Sequence, residues 1–298
     1  MKSAALVIVL LAAVAANAAP RLNSNHAVVY DATSGKVLLE KNADTPAPIA
    51  SVTKVLTAMV ALDAQPDLAE PLTVADEDVD RLKASSSKLP VGTSLPRKDM
   101  LHLALMSSEN RAASALARHY PGGKPAFVRA MNVKAKLLGM DGAVMRDPTG
   151  LNPGNRATAR DLVRMVLAAE SYEPITLFTT STQYSGPVAR AAAFHNTNPL
   201  VASPSWKVEL SKTGYIQEAG RCIVMKLQEA GKELVVVLLG ANSPQKRTAD
   251  LIAIKNWVDG GATEAVASLS KTFKASAKLA AKKHGRKART LARPKRSR

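Results

Sequence analysis

Pro48-Ile49-Ala50-Ser51-Val52-Thr53-Lys54 is the stretch on which the reading of this chain turns. It sets a hydroxyl at Ser51 and an amine at Lys54. From Ser51 onward, Val52, Val55, Leu56, Met59, Val60 and Leu62 fall at helical spacing, and Pro46 and Pro48 bar an earlier start. Residues three apart lie side by side on a helix, so Lys54 stands to Ser51 as a base stands to a nucleophile. A helix start also offers unpaired N–H groups and the positive end of the dipole, both suited to negative charge developing on a carbonyl oxygen. Alone the pattern is weak: Ser85 with Lys88, Ser243 with Lys246 and Ser268 with Lys271 repeat it, and Ser51 also fits a plain N-cap. Only the Ser51 copy opens a strongly apolar helix.

Upstream, 26–30 and 36–40 are β-rich runs around Asp31-Ala32-Thr33-Ser34-Gly35, a hairpin signature. Downstream the pattern predicts helices over 100–119, 125–138 and 158–170. Strands are predicted over 207–212, 221–228 and 233–239, with Glu229-Ala230-Gly231-Lys232 as the last turn, and a closing helix over 249–258. Strands, then helices, then strands and a final helix predict an α/β fold. Its antiparallel sheet is assembled from both chain ends and flanked by helices, and a doubly wound dinucleotide fold is excluded.

The 298 residues carry 41 Lys+Arg against 24 Asp+Glu, a formal charge of +17, with one cysteine and 46% apolar residues. One cysteine excludes a disulfide-stapled miniprotein and a cysteine-rich zinc domain. Lys2, the apolar run after it and Ala16-Asn17-Ala18 are ordered as in a secretory signal peptide over residues 1–18, leaving Ala19 as the mature start. The alternative, a membrane anchor, meets a run shorter than the roughly 20 residues a spanning helix needs. Cys222, in a strand-like run without an intramolecular partner, is expected to be a buried thiol. Acidic residues stop at Glu264, and Lys271 to Arg298 hold twelve basic charges. A disordered tail over 268–298 is expected, meeting anionic wall polymers or a membrane surface, or merely solubilising the protein. No specific nucleic acid is expected. Residues 19–267 form one catalytic-sized domain. His26, His102, His119, His195 and His284 lack metal-site spacing and no glycine loop cradles a phosphate, so neither metal nor cofactor is expected.

Two further motifs follow. Ser107-Ser108-Glu109-Asn110 ends the apolar segment 101–106 and offers, as Ser108-x-Asn110, a hydroxyl for proton relay and a carboxamide that both donates and accepts. Lys212-Thr213-Gly214 follows the strand beginning at Lys207. A cation, a hydroxyl and a residue without a side chain suit an edge strand on which an extended anionic substrate lies close. Singly, each fits an ordinary surface feature.

Ser-x-x-Lys, Ser-x-Asn and Lys-Thr-Gly in that order resemble the serine D-alanyl-D-alanine peptidases, the low-molecular-mass penicillin-binding proteins, over nearly all of residues 23–267. The text around Ser51, Met106-Ser107-Ser108-Glu109-Asn110-Arg111-Ala112-Ala113 and Glu218-Ala219-Gly220-Arg221-Cys222 is similar to the penicillin-binding protein 7 branch, which implies a D-alanyl-D-alanine endopeptidase. The resemblance implies a DD-peptidase/β-lactamase-like fold with a mostly helical subdomain, and a periplasmic location. It implies Ser51 as nucleophile, Lys54 as its base, Ser108 as relay, Asn110, Lys212, Thr213 and Gly214 as substrate-binding residues, and the amides of Ser51 and Tyr215 as oxyanion hole. Lys212 is expected close enough to lower the Lys54 pKa. Peptidoglycan stem peptides are the implied substrates and β-lactams the implied covalent inhibitors. Asp147 is expected to be a turn residue, which leaves no deacylating acid. Rival readings are a D,D-carboxypeptidase, a β-lactamase, and a noncatalytic wall- or polyanion-binding protein that uses the tail.

Overall fold

In the computed structural model, which describes residues 18–190 and 193–261, a turn at Asp31 joins β1 (His26–Asp31) to β2 (Lys36–Lys41). The Asp31 carboxylate accepts from the amides of Thr33 (3.0 Å) and Ser34 (3.2 Å), closing the hairpin. The signal-peptide reading, save Ala18, and the basic tail fall outside the described residues. Next come β3 (Ala47–Pro48), a 3-10 turn over Ala50–Val52 and α1 (Thr53–Asp63). The helical half continues through the pair β4 (Pro71–Thr73) and β5 (Ser94–Pro96), then α2 (Arg97–Met106), α3 (Asn110–Arg118) and α4 (Gly123–Leu137). It closes with β6 (Arg156–Ala157), which pairs with β3, then α5 (Ala159–Ala169) and α6 (Glu173–Thr180). Last are β7 (Lys207–Ile216), β8 (Gly220–Glu229), β9 (Lys232–Ala241) and α7 (Pro244–Asp259).

The main sheet runs β2-β1-β9-β8-β7, antiparallel at every step, so strands from both chain ends meet where β1 pairs with β9. Residues 234–239 of β9 are apolar throughout because both faces are covered. Val235, Val237 and Leu239 join the core shared with α1, while Leu234, Val236 and Leu238 pack with Leu251, Ile254 and Trp257 of α7. Ala230 (φ 49°) and Gly231 (φ 73°) both take left-handed backbone, as a two-residue hairpin turn between β8 and β9 demands. Buried from Thr53 to Ala61, α1 is the central helix and packs against α2, α3, α4 and α5. Thr158 and Asp161 form a capping box that starts α5.

Three expectations are corrected. The helix over 100–119 is broken: α2 ends at Met106, Ser108 turns left-handed at φ 63°, and Glu109 caps α3 by accepting from the Arg111 amide (3.1 Å). Ser51 lies in the 3-10 turn that precedes α1 rather than in its first α-turn. The strand from Lys207 runs on to Ile216, which puts Lys212-Thr213-Gly214 inside the edge strand instead of beyond its end. Short α6 has Pro174 in its first turn and offers too few residues for a period to show.

One turn holds the Ser51 backbone in place. Asp147 is a turn residue: its carboxylate accepts from the Gly150 amide (2.8 Å), Thr149 Oγ1 (2.7 Å) and Asn155 Nδ2 (2.9 Å). Thr57 Oγ1 donates to the Pro148 carbonyl (2.7 Å), tying the turn to α1. Gly150 has φ 82°, and a Cβ on it would lie 2.0 Å from the Ala50 carbonyl oxygen. Ala50 is itself left-handed at φ 48°, a strain of about 1–3 kcal/mol for a residue with a side chain. On another side, a Cβ at Gly214 would meet the Ile49 carbonyl at 2.9 Å and the Ser51 nitrogen at 3.0 Å. Two glycines thus clamp the peptide units around Ser51. Urea unfolding of Gly150→Ala is expected to show a loss of about 2 kcal/mol or more; an unchanged midpoint would mean that the turn can move away without cost.

Candidate active site

Lys54 Nζ donates to Ser51 Oγ at 3.0 Å, to Asn110 Oδ1 at 2.7 Å and to the Thr149 carbonyl at 2.7 Å. Asn110 is oriented by its Nδ2, which donates to Ser85 Oγ (2.9 Å) and so leaves its oxygen facing the lysine. The two shorter contacts reach atoms that only accept. Only the contact to Ser51 can reverse direction. When Lys54 loses a proton it keeps the other two bonds, and its lone pair is left pointing at the Ser51 hydroxyl.

Burial makes that loss accessible. Lys54 is 1% exposed, and burial lowers its pKa from 10.5 to about 8 against the opposing pull of Asp147, Glu109 and Asp80. At pH 7 a pKa of about 8 leaves roughly one amine in ten neutral, against roughly one in three thousand at 10.5. Lys212 is equally buried and donates to Ser108 Oγ (2.8 Å) and to the Thr213 carbonyl (2.9 Å). Its pKa is pushed well below the ordinary lysine value by burial first, then by the charges of Lys54 and Arg247. Burial is the largest influence on both lysines, and the repulsion between the two cations adds to it.

The remaining expected residues sit on β7. Thr213 Oγ1 donates to Thr197 Oγ1 (2.6 Å), and Gly214 lies against the Ser51 nitrogen. Tyr215 is 51% exposed, with the Arg221 guanidinium 3.7 Å above its ring centre. Ser51, Lys54 and Asn110 are joined directly by hydrogen bonds, as are Lys212 and Ser108. An ion pair between Lys83 and Glu218 ties the loop carrying Ser85 to the turn after β7.

Three residues escaped the sequence reading. Ser85 was visible only as a chance repeat of Ser-x-x-Lys, yet it orients Asn110. Gly150 carried the ordinary signal of a turn glycine. Arg247 carried none: it is buried on α7, donates to the Cys222 carbonyl (3.3 Å), and adds positive charge behind Lys212. Cys222 is the expected buried thiol, its pKa raised by burial to about 11.

Residues 13–243 match the family described as D-alanyl-D-alanine carboxypeptidase. The D-alanyl-D-alanine endopeptidase of Pseudomonas aeruginosa is 40% identical over 256 residues, covering 85% of this chain and 83% of that protein. That of Escherichia coli is 39% identical over 259 residues, covering 86% and 83%. Among solved structures, a Listeria monocytogenes penicillin-binding protein in a cefotaxime-bound form superposes with a TM-score of 0.71 at 28% identity, covering 80% of this chain and 97% of that one. With a buried lysine on its serine, three motifs in family order and matches spanning most of both partners, the chain belongs to the D-alanyl-D-alanine carboxypeptidase family of serine peptidases.

Proposed function

We propose that this chain is a serine D-alanyl-D-alanine endopeptidase that hydrolyses peptide cross-links in peptidoglycan. The observation that carries the reading is the Lys54 amine 3.0 Å from Ser51 Oγ with its other hydrogens already committed. Neutral Lys54 accepts the Ser51 proton as Oγ attacks the carbonyl of the D-alanine in the cross-link, and the amides of Ser51 and Tyr215 receive the oxyanion. As the C–N bond breaks, Ser108 passes a proton to the departing amine and is resupplied from the Lys212 side. Asn110 and Gly214 hold the acyl strand along β7; Lys212 and Thr213 take the carboxylate beside the scissile bond. Water then cleaves the ester, its hydroxyl going to the acyl carbon; Lys54 returns its proton to Ser51 Oγ, and the proton that water gives up restores Lys212.

β-Lactams acylate the same serine in this reading. Both Asp147 oxygens are occupied by hydrogen bonds of their own turn, which supports a slow release of the adduct. Residues 1–18 act as a removable signal peptide, which makes the mature protein periplasmic. Among the described residues no helix is long and apolar enough to cross a membrane. The tail over 268–298, outside the described residues, serves as an electrostatic tether to anionic wall polymers or lipid headgroups.

Intact-mass analysis with excess benzylpenicillin is expected to give a persistent adduct on the wild type and none on Ser51→Ala, with Lys54→Ala slowed by orders of magnitude. The reactive amine is the deprotonated one, so the acylation rate should climb with rising pH and level off above a pKa of about 8. A rate that is flat between pH 6 and 9 would exclude Lys54 as the base. N-terminal sequencing of the exported protein should begin at Ala19; an intact Met1 would contradict cleavage. Deleting residues 271–298 should leave turnover of a small soluble substrate unchanged but weaken salt-sensitive retention on isolated cell walls. Equal retention of both forms at every salt concentration would remove the tether.

A further inference from the structure

We infer that the groove opening past Ser108, between the Ser86–Lys88 loop, the α2–α3 turn and the Phe194–His195 segment, binds the leaving strand of the cross-link. This rests on the endopeptidase reading and says where the second peptide goes. A cavity of about 280 Å³ begins at Ser108 and Asn110 and is walled by Ser86, Lys88, Ser107, Glu109, Phe194 and His195. Phe194 and His195 also line a second hollow of about 710 Å³ beside Tyr184 and Pro187.

Direction follows from the chemistry. The departing amine takes its proton at Ser108, so the groove that Ser108 lines lies within reach of what is attached to that amine. A free D-alanine ends there. A second stem peptide continues for several residues and needs a channel with polar walls. The Glu109 carboxylate is spent on Ser87 Oγ (2.6 Å) and the Arg111 amide (3.1 Å), so it offers the groove little free negative charge. Lys88, exposed, donates to the Ala193 carbonyl (2.6 Å) and lies 5.6 Å from the centre of the Phe194 ring, which leaves ammonium hydrogens for a carboxylate. The hydroxyls of Ser86 and Ser107 and the exposed His195 ring supply further polar contacts. The preferred ligand is therefore an extended peptide bearing a carboxylate beyond the one beside the scissile bond.

The test compares two substrates on the full mature chain: a cross-linked muropeptide dimer and a linear pentapeptide ending in D-Ala-D-Ala. Ser86→Trp fills the groove and Lys88→Ala removes its cation; neither touches the Ser51–Lys54 pair. Each is expected to lower kcat/KM on the dimer by about tenfold or more, the equivalent of one good contact. Turnover of the pentapeptide and the rate of penicillin acylation, which reports correct folding, should stay within about twofold. Equal losses on both substrates, or an unaffected dimer, would overturn the groove assignment. A wild type that trims the pentapeptide but leaves the dimer whole would overturn the endopeptidase reading, and the assignment with it.

Discussion

A lysine amine held out of water, with each of its hydrogens matched, is the interaction on which the rest of this structure depends. Stripping an ammonium of solvent costs several kcal/mol, and the three acceptors around Lys54 Nζ return about 1.5–3 kcal/mol each. Burial outweighs the opposing charges of Asp147, Glu109 and Asp80 and so places the pKa at about 8. A looser site would leave the lysine protonated and inert. A site with a free carboxylate in contact would hold it charged just as firmly. The three acceptors come from Ser51, from Asn110 after the α2–α3 break and from Thr149 in the Asp147 turn. The helical half of the molecule is thus organised to bring those segments to one point.

The backbone bears a second cost at the same place. Ala50, beside Ser51, and Ser108 are both left-handed without being glycine. Such geometry persists only where its surroundings over-determine it. Gly150 and Gly214 do this for Ala50 by closing on the peptide units either side of it. For Ser108, the Glu109 amide donates to the Leu103 carbonyl (3.0 Å) while the Glu109 side chain caps α3. The edge position of β7 completes the arrangement, since an edge strand keeps one row of backbone groups free for an extended substrate.

The two lysines differ in their surroundings. Two of the Lys54 contacts reach atoms that only accept and the third reaches a hydroxyl, so its bonds tolerate both the charged and the neutral amine. Lys212 is bonded to Ser108 Oγ, and the charges of Lys54 and Arg247 add to burial in lowering its pKa. Placing two amines and a guanidinium in one buried region is costly to the fold. The depressed pKa of Lys212 is the physical record of that cost.

Much of this was legible in the amino-acid order alone. Strands with period two, helices with period 3.6 and a hydroxyl-amine pair three residues apart are local patterns, set by backbone geometry whatever the tertiary context. The antiparallel sheet and the pairing of Ser51 with Lys54 followed from them. The break at 107–109 did not show, because no proline or glycine marks it and the flanking apolar spacing reads straight through. What Ser85, Gly150 and Arg247 do did not show for a deeper reason: each acts on a residue far along the chain, Ser85 across 25 positions to Asn110 and Gly150 against the Ala50 backbone. The lysine pKa belongs to the same class, since the partners that bury and bind Lys54 lie 56 and 95 residues away. Sequence determined which groups stand three residues apart; tertiary structure alone decided that Lys54 is held in the dry, because desolvation is a property of what surrounds a side chain and not of the side chain itself.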